Sequence, residues 1–268
     1  MIDKNTKSKI LDNIRNKDEK ILVSSVLDKA MKFEKTDSLL FTNFLNLNET
    51  KIIKRILDYL KIKYFEFYSN ENIEKRNIFF IPEYLLYKKD EIIKENISCI
   101  KIVPKIEGKL THKDYMGAIY SLGIKREFIG DIVAKEDCAY FFCMKSVEEY
   151  FSLNLTSVGN QEVSIEILDI FSDEVKNLDF KFISKEYIVP SLRVDAILSE
   201  VYNLSRSEVK DKIIKEDLYI NDKVIVYPNT IISKGDIISF KKCGKIKFIE
   251  EIRKTKNSNV VIRVFKYS

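Results

Sequence analysis

The sequence predicts an α+β protein on three observations. Its N-terminal stretch has helical periodicity, its middle alternates short apolar runs with capped helices, and its C-terminal part pairs two serine-led helices with short strands. At 268 residues the chain can hold two or three domains, each with its own core. The expected division is a helical region over 1–62, an α/β domain over 63–183 and a C-terminal domain over 184–268. Apolar residues make up 45% of the chain and aromatic ones 12%, enough to drive folding.

In the first region Ile10, Leu11 and Ile14 open an apolar pattern that continues through Ile21, Leu22, Val26, Leu27, Ala30, Met31 and Phe33. A further helix is expected from Glu49 to Lys61, with Ile52, Ile53, Ile56, Leu57 and Leu60 on one face and Asn48 as its N-cap. From Tyr64 the texture changes to strands at Tyr64–Tyr68, Asn77–Ile81 and Ile97–Val103, with a short helix around Tyr84–Glu95. Thr111 caps the next helix while Asp114 reaches back to the free backbone donors. Gly123 supplies the left-handed stop. Strands Ile129–Ala134 and Ala139–Met144, a helix Val147–Leu155 and a strand Glu162–Leu168 follow. The order β-α-β-β-α-β over Ile97–Leu168 is that of a ferredoxin-like or RRM-like sandwich. Residues 169–186 read as a charged connector with one strand at Asp179–Ile183.

In the C-terminal domain Ser191 is the expected N-cap of a helix whose Val194, Ile197, Leu198 and Val201 form a buried stripe, with Arg193 facing outward. Ser205-Arg-Ser-Glu208 is a capping box, and Arg206 and Lys210 share a face of the helix that it opens. The free N–H groups and dipole there suit a phosphate, with Arg206 and Ser207 beside it. Strands Leu218–Ile220 and Lys223–Val226 meet at the turn Asn221-Asp222, and Gly235-Asp236 turns into Ile237–Phe240. Lys241, Lys242, Lys245 and Lys247 follow on a strand and loop.

Charge is uneven. Residues 184–268 hold 17 Lys and Arg against 11 Asp and Glu, whereas the preceding 183 hold 29 against 30. The whole excess therefore lies in the last third, which points to a polyanionic partner. The absences exclude most enzyme classes. Seven scattered glycines build neither a dinucleotide nor a P-loop motif, and His112 is the single histidine. No metal-ligand spacing, nucleophile elbow or CxxC pair occurs, so no catalytic residue, metal or cofactor is expected. No apolar run is long enough to span a bilayer and no signal peptide opens the chain, so a cytoplasmic protein is expected.

The segment Tyr187–Phe248 resembles the S4 RNA-binding domain, whose pattern runs R-[LV]-D, S-R-S, V-N-G-K and G-D-x-I-S. The chain carries Arg193-Val194-Asp195, Ser205-Arg206-Ser207, Ile220-Asn221-Asp222-Lys223 and Gly235-Asp236-Ile237-Ile238-Ser239, with Asp222 where the family usually has glycine. The resemblance implies an αL-type RNA-binding face with Arg193, Ser205, Arg206, Ser207, Lys210, Asn221 and Lys223 near structured RNA; Lys241 and Lys242 extend it. Upstream, Leu110–Ala118, Leu122–Glu127 and Ile129–Ile132 resemble the RRM-like central domain of the bacterial YlmH family. Two departures are Lys113, which keeps a charge but not the arginine fork, and the uncharged Asn160. A second RNA-binding patch of His112, Lys113, Lys125 and Arg126 is expected, with His112 read either as a local helix-start contact or as part of the patch.

The likeness to that family implies a non-enzymatic, monomeric protein binding rRNA or tRNA on the large ribosomal subunit, with peptidyl-tRNA as a further partner, in rescue or quality control of stalled translation. Two alternatives are an rRNA-modifying enzyme carrying an S4 domain and a cell-division adaptor. Neither a small-molecule substrate nor a membrane is expected.

Overall fold

A computed structural model describes residues 3–267 other than 72, 107, 109 and 181. The chain divides into two compact units, Met1–Asp179 and Phe180–Ser268.

The first unit opens with α1 (Lys4–Asp12) and α2 (Lys17–Thr36), followed by β1 (Leu40–Phe41), α3 (Leu47–Tyr59), β2 (Phe65–Phe67) and β3 (Asn77–Phe80). The cap of α3 is Asn46 rather than Asn48. Asn46 Oδ1 accepts from Glu49 N at 2.8 Å and the Glu49 carboxylate accepts from Asn46 N at 2.7 Å. This reciprocal pair needs the carboxylate three residues past the cap, which selects Asn46. The short strands pair in the order β1-β3-β2, so residues on both sides of position 62 share one sheet. Val23, Leu27, Ile53 and Leu57 of the helices and Ile78 and Phe80 of β3 share one buried core.

A 3₁₀ turn over Glu83–Lys88 leads into α4 (Lys89–Asn96). Next come β4 (Ile97–Pro104), α5 (His112–Ser121), β5 (Ile129–Ala134), β6 (Ala139–Met144), α6 (Glu148–Asn154), β7 (Ser157–Val158) and β8 (Gln161–Leu168). The five strands form an antiparallel sheet in the order β5-β6-β4-β8-β7. Its first four have the ferredoxin-like order, and β7 adds a hairpin edge. Tyr115 and Ile119 of α5 and Phe151 of α6 pack on one face, against Ile100, Ile102, Phe141 and Cys143. Gly123 ends α5 at φ +78°, a conformation open to glycine at little cost. The connector contains one turn of helix, α7 (Asp173–Lys176).

The opposite face of this sheet is covered over β5, β6 and the start of β4, and is exposed at Glu162, Ser164 and Glu166 of β8. Tyr140, Phe142, Met144 and Cys99 lie on it and are buried. Asn77 Nδ2 donates to Met144 Sδ at 3.8 Å, and Lys75 N donates to the Asp131 carboxylate at 2.6 Å. The Tyr140 hydroxyl donates to Glu174 of α7 at 2.8 Å, and Lys101 Nζ donates to the same carboxylate at 2.9 Å. At Gly130 the packing is tight: a Cβ would lie 2.8 Å from Phe142 Cβ and 2.9 Å from Phe44 Cε1.

The second unit consists of β9 (Phe182–Val189), α8 (Val194–Tyr202), α9 (Arg206–Ile214), β10 (Leu218–Ile220), β11 (Lys223–Val224), β12 (Ile237–Phe240), β13 (Gly244–Lys254) and β14 (Val260–Tyr267). Lys181, within the expected strand Asp179–Ile183, lies outside the described residues; the strand found is β9. The sheet runs β11-β10-β12-β13-β14-β9. Both helices bury Val194, Ile197, Leu198, Val209 and Ile213 against Leu218, Ile238, Phe240, Ile246, Ile262 and Val264. Ser191 does not cap α8; Arg193 holds the N-cap position without a side-chain cap bond. The first donors of the helix are met by backbone instead, Val194 N by Thr230 O at 2.8 Å and Asp195 N by Pro228 O at 3.2 Å. A serine cap is therefore not needed there.

Candidate nucleic-acid interface

Each expected contact residue of the second unit has a definite local role. Arg193 faces less freely outward than its position off the apolar stripe predicts. Its Nε and Nη2 each donate to the Asp195 carboxylate at 3.0 Å, and Asp195 is fully buried. The pair holds the start of α8 and leaves Nη1 without a protein partner. This is the fork geometry for which arginine differs from lysine. Asp195, which the Arg193-Val194-Asp195 motif names without a role, is the buried partner of Arg193.

At α9 the capping box forms as the sequence predicts. Ser205 Oγ accepts from Glu208 N at 3.2 Å and donates to Glu208 Oε2 at 2.7 Å, while Ser205 N donates to the same oxygen at 2.8 Å. Ser207 Oγ lies 3.1 Å from Ser205 Oγ. The hydroxyl and backbone bonds from Ser205 hold the Glu208 carboxyl below its usual pKa, so it stays charged. This corrects the expectation of a phosphate at the helix opening: an anion of the chain already occupies it, and the Ser205 hydroxyl is committed to it. Arg206 and Lys210 are exposed, four residues apart, and among the described residues neither has an ion-pair or hydrogen-bond partner. Val209 and Ile213 anchor the helix from the other side.

Asn221 is a structural residue rather than a free contact. Asn221 and Asp222 have φ of 49° and 63°, and Ile220 pairs with Lys223, which makes a two-residue hairpin turn with both central residues left-handed. Asn221 Nδ2 donates to the Asp236 carboxylate at 2.8 Å and its Oδ1 accepts from Ile237 N at 2.9 Å. Both ends of the amide are thus engaged in tying two turns together. Asp222 can stand where glycine is usual because Asp, like Asn, tolerates positive φ better than most residues. Lys223, next to the turn, is exposed and without a protein partner. Lys241 meets Asp217 at 3.5 Å, a pair with side chains 63% and 21% exposed; such a bond is weak enough to be exchanged for a phosphate. Lys242 is exposed at φ 65° in the turn between β12 and β13.

The second expected patch, in the first unit, does not form one cluster. His112 and Lys113 stand in the first turn of α5, and Lys125 and Arg126 lie beyond its far end. At 1.5 Å per residue the helix separates them by roughly 14 Å. Arg126 sits 5.1 Å from the Tyr120 ring centre, a cation–π contact. Asp114 accepts from Thr111 N and Oγ1, both at 2.7 Å, and these bonds hold its pKa down. An RRM reads RNA with aromatic residues on its open sheet face. Here that face is covered over β5 and β6, and the part left open, on β8, presents Glu162, Ser164 and Glu166 rather than aromatic rings.

Residues 95–172 match the family model described as "Putative RNA-binding domain in YlmH". The chain is 22% identical over 240 residues to "Ribosome-associated protein quality control protein P2" of Bacillus subtilis, covering 90% of this chain and 92% of that protein. A solved structure, "Cell division protein ylmH from Streptococcus pneumoniae", aligns with a TM-score of 0.49 at 20% identity, covering 62% of this chain and 98% of that one. The family model matches the domain whose second sheet face is covered over β5 and β6, whereas the exposed cations Arg206, Lys210, Lys223 and Lys242 lie in the second unit.

Proposed function

We propose that this protein is a member of the YlmH family, that it binds structured ribosomal RNA on the large subunit through its C-terminal domain, and that it acts by binding rather than by catalysis. The observation that carries the reading is the set of exposed cations on α9 and at the two hairpin turns, in a domain whose other cations include several paired internally. Among the described residues Arg206, Lys210, Lys223 and Lys242 form no ion pair, whereas Arg193 and Arg263 do. Such groups bind phosphate by releasing counterions, with little sequence readout. Specificity then comes from the shape of folded RNA. The YlmH domain match and the ribosome-associated relative favour a ribosomal partner and a place in quality control; the proposal adds stalled translation as the setting and peptidyl-tRNA as part of the bound surface. Among the described residues no group of His, Cys, Asp and Glu is arranged to hold a metal ion, and no helix is long and apolar enough to cross a membrane.

Sedimentation of the tagged protein with purified large subunits at 0.1 M and 0.5 M salt tests this. Co-sedimentation at low salt that declines steeply at high salt is the expected result. A protein that stays in the supernatant at both concentrations contradicts the reading.

A further inference from the structure

The six-stranded sheet of the second unit has a second face, turned away from α8 and α9, and the register places an unusual set of side chains on it. Ile238, Phe240, Ile246, Phe248, Ile262 and Val264 point into the core under the helices. Side chains alternate across a strand, so their neighbours point the other way. Tyr219 pairs with Ser239, Ser239 with Lys245, and Tyr267 with Phe182; one step along the strands, Ile237 pairs with Lys247, Lys247 with Phe265, and Phe265 with Ser184. Two lysines therefore stand between Tyr219 on one side and an aromatic group on the other.

That group is ordered. Phe182 and Phe265 stack at 5.4 Å, Phe182 meets Tyr267 edge-on at 4.8 Å, and Lys245 Nζ lies 4.9 Å from the Tyr267 ring centre. Phe182, Phe265, Tyr267 and Tyr219 are each only half-buried, and Lys247 has no ion-pair partner among the described residues. The acidic groups one step along this face are neutralised by Arg263, which bridges Glu250 at 2.6 Å and Glu186 at 2.9 Å. Phe182, Phe265 and Tyr267 all lie outside the segment Tyr187–Phe248 that resembles the S4 domain.

Aromatic rings alternating with lysines on a flat sheet are what single-stranded nucleic acid requires, rings for bases to stack on and cations for the backbone. We infer that this face binds unpaired nucleotides, with bases stacked on Phe265 and Tyr267 and phosphates held by Lys245 and Lys247. It rests on the RNA-binding reading above and adds to it a separate contact, for a flexible strand beside the folded RNA gripped by α9.

The test is fluorescence anisotropy with a labelled 12-nucleotide single-stranded RNA, using the whole chain. Three proteins are compared: wild type, Lys247→Ala, and Phe265→Leu with Tyr267→Leu, which keeps apolar bulk in place. A circular-dichroism melt verifies folding, and Lys247→Ala leaves the aromatic group untouched. The expected losses are about 5-fold for the lysine at 0.1 M salt and at least about 5-fold for the aromatic pair. Sedimentation with large subunits is run in parallel. Wild-type affinity for the oligonucleotide in both variants, or no oligonucleotide binding by the wild type, overturns this inference even where subunit binding persists. Loss of subunit binding by the wild type instead removes the reading beneath it.

Discussion

Replacing Arg206 and Lys210 together by alanine probes the electrostatic core of the account. Both side chains are exposed and make no bond within the protein, and the helix is fixed by Val209, Ile213 and the Ser205–Glu208 box, so the fold is expected to survive. If each cation neutralises one phosphate, each contributes roughly 0.7–0.9 to the slope of log affinity against log salt. The double variant should then flatten that slope by about 1.4–1.8. At 0.1 M salt this corresponds to a loss of roughly 25- to 60-fold, shrinking to about 5- to 9-fold at 0.3 M. Filter binding or sedimentation with large subunits across this salt range measures both quantities. An unchanged slope would refute the reasoning, as would a loss of the same factor at every salt concentration, because only screened charge produces the convergence.

Two other substitutions separate structural from contact roles. Asn221→Ala removes the tie between the two turns, leaves Ile237 N without its acceptor and puts alanine at positive φ; a loss of about 2–4 kcal/mol by chemical denaturation is expected. The pH dependence follows from the Glu208 carboxyl, whose pKa is lowered in the folded protein by its bonds to Ser205. Its stabilising effect is present above the ordinary glutamate pKa of about 4.3 and is lost as pH falls through the lower folded value. Glu208→Gln should flatten the acid limb of a melting-temperature profile, and an identical limb in both proteins would contradict this.

Much of the fold was legible because local signals agreed. Strands β5 and β6 fall where the apolar runs at Ile129–Ala134 and Ala139–Met144 place them, and the capping residues Thr111 and Ser205 open α5 and α9 as predicted. Errors arose where a partner distant in sequence decides. Ser191 lost the cap of α8 to backbone carbonyls at Pro228 and Thr230, some thirty-five residues away, which no local pattern encodes. Of β13 the sequence predicts only a strand and loop carrying Lys245 and Lys247, and of β14 nothing, although Ile246 and Phe248, and Val260, Ile262 and Val264, alternate with a period of two. The site divides likewise. Exposure of Arg206 and Lys210 follows from helical spacing. The engagement of Asn221 with Asp236 and the covering of the central sheet by Phe44, Asn77 and α7 are tertiary facts.

Ultraviolet cross-linking of the protein to large ribosomal subunits, with the linked peptides read by mass spectrometry, tests the central claim most directly. The account predicts linked RNA on peptides containing α9 and the turns at Lys223 and Lys242. Cross-links confined to the first unit, with the C-terminal domain unmarked, would contradict it.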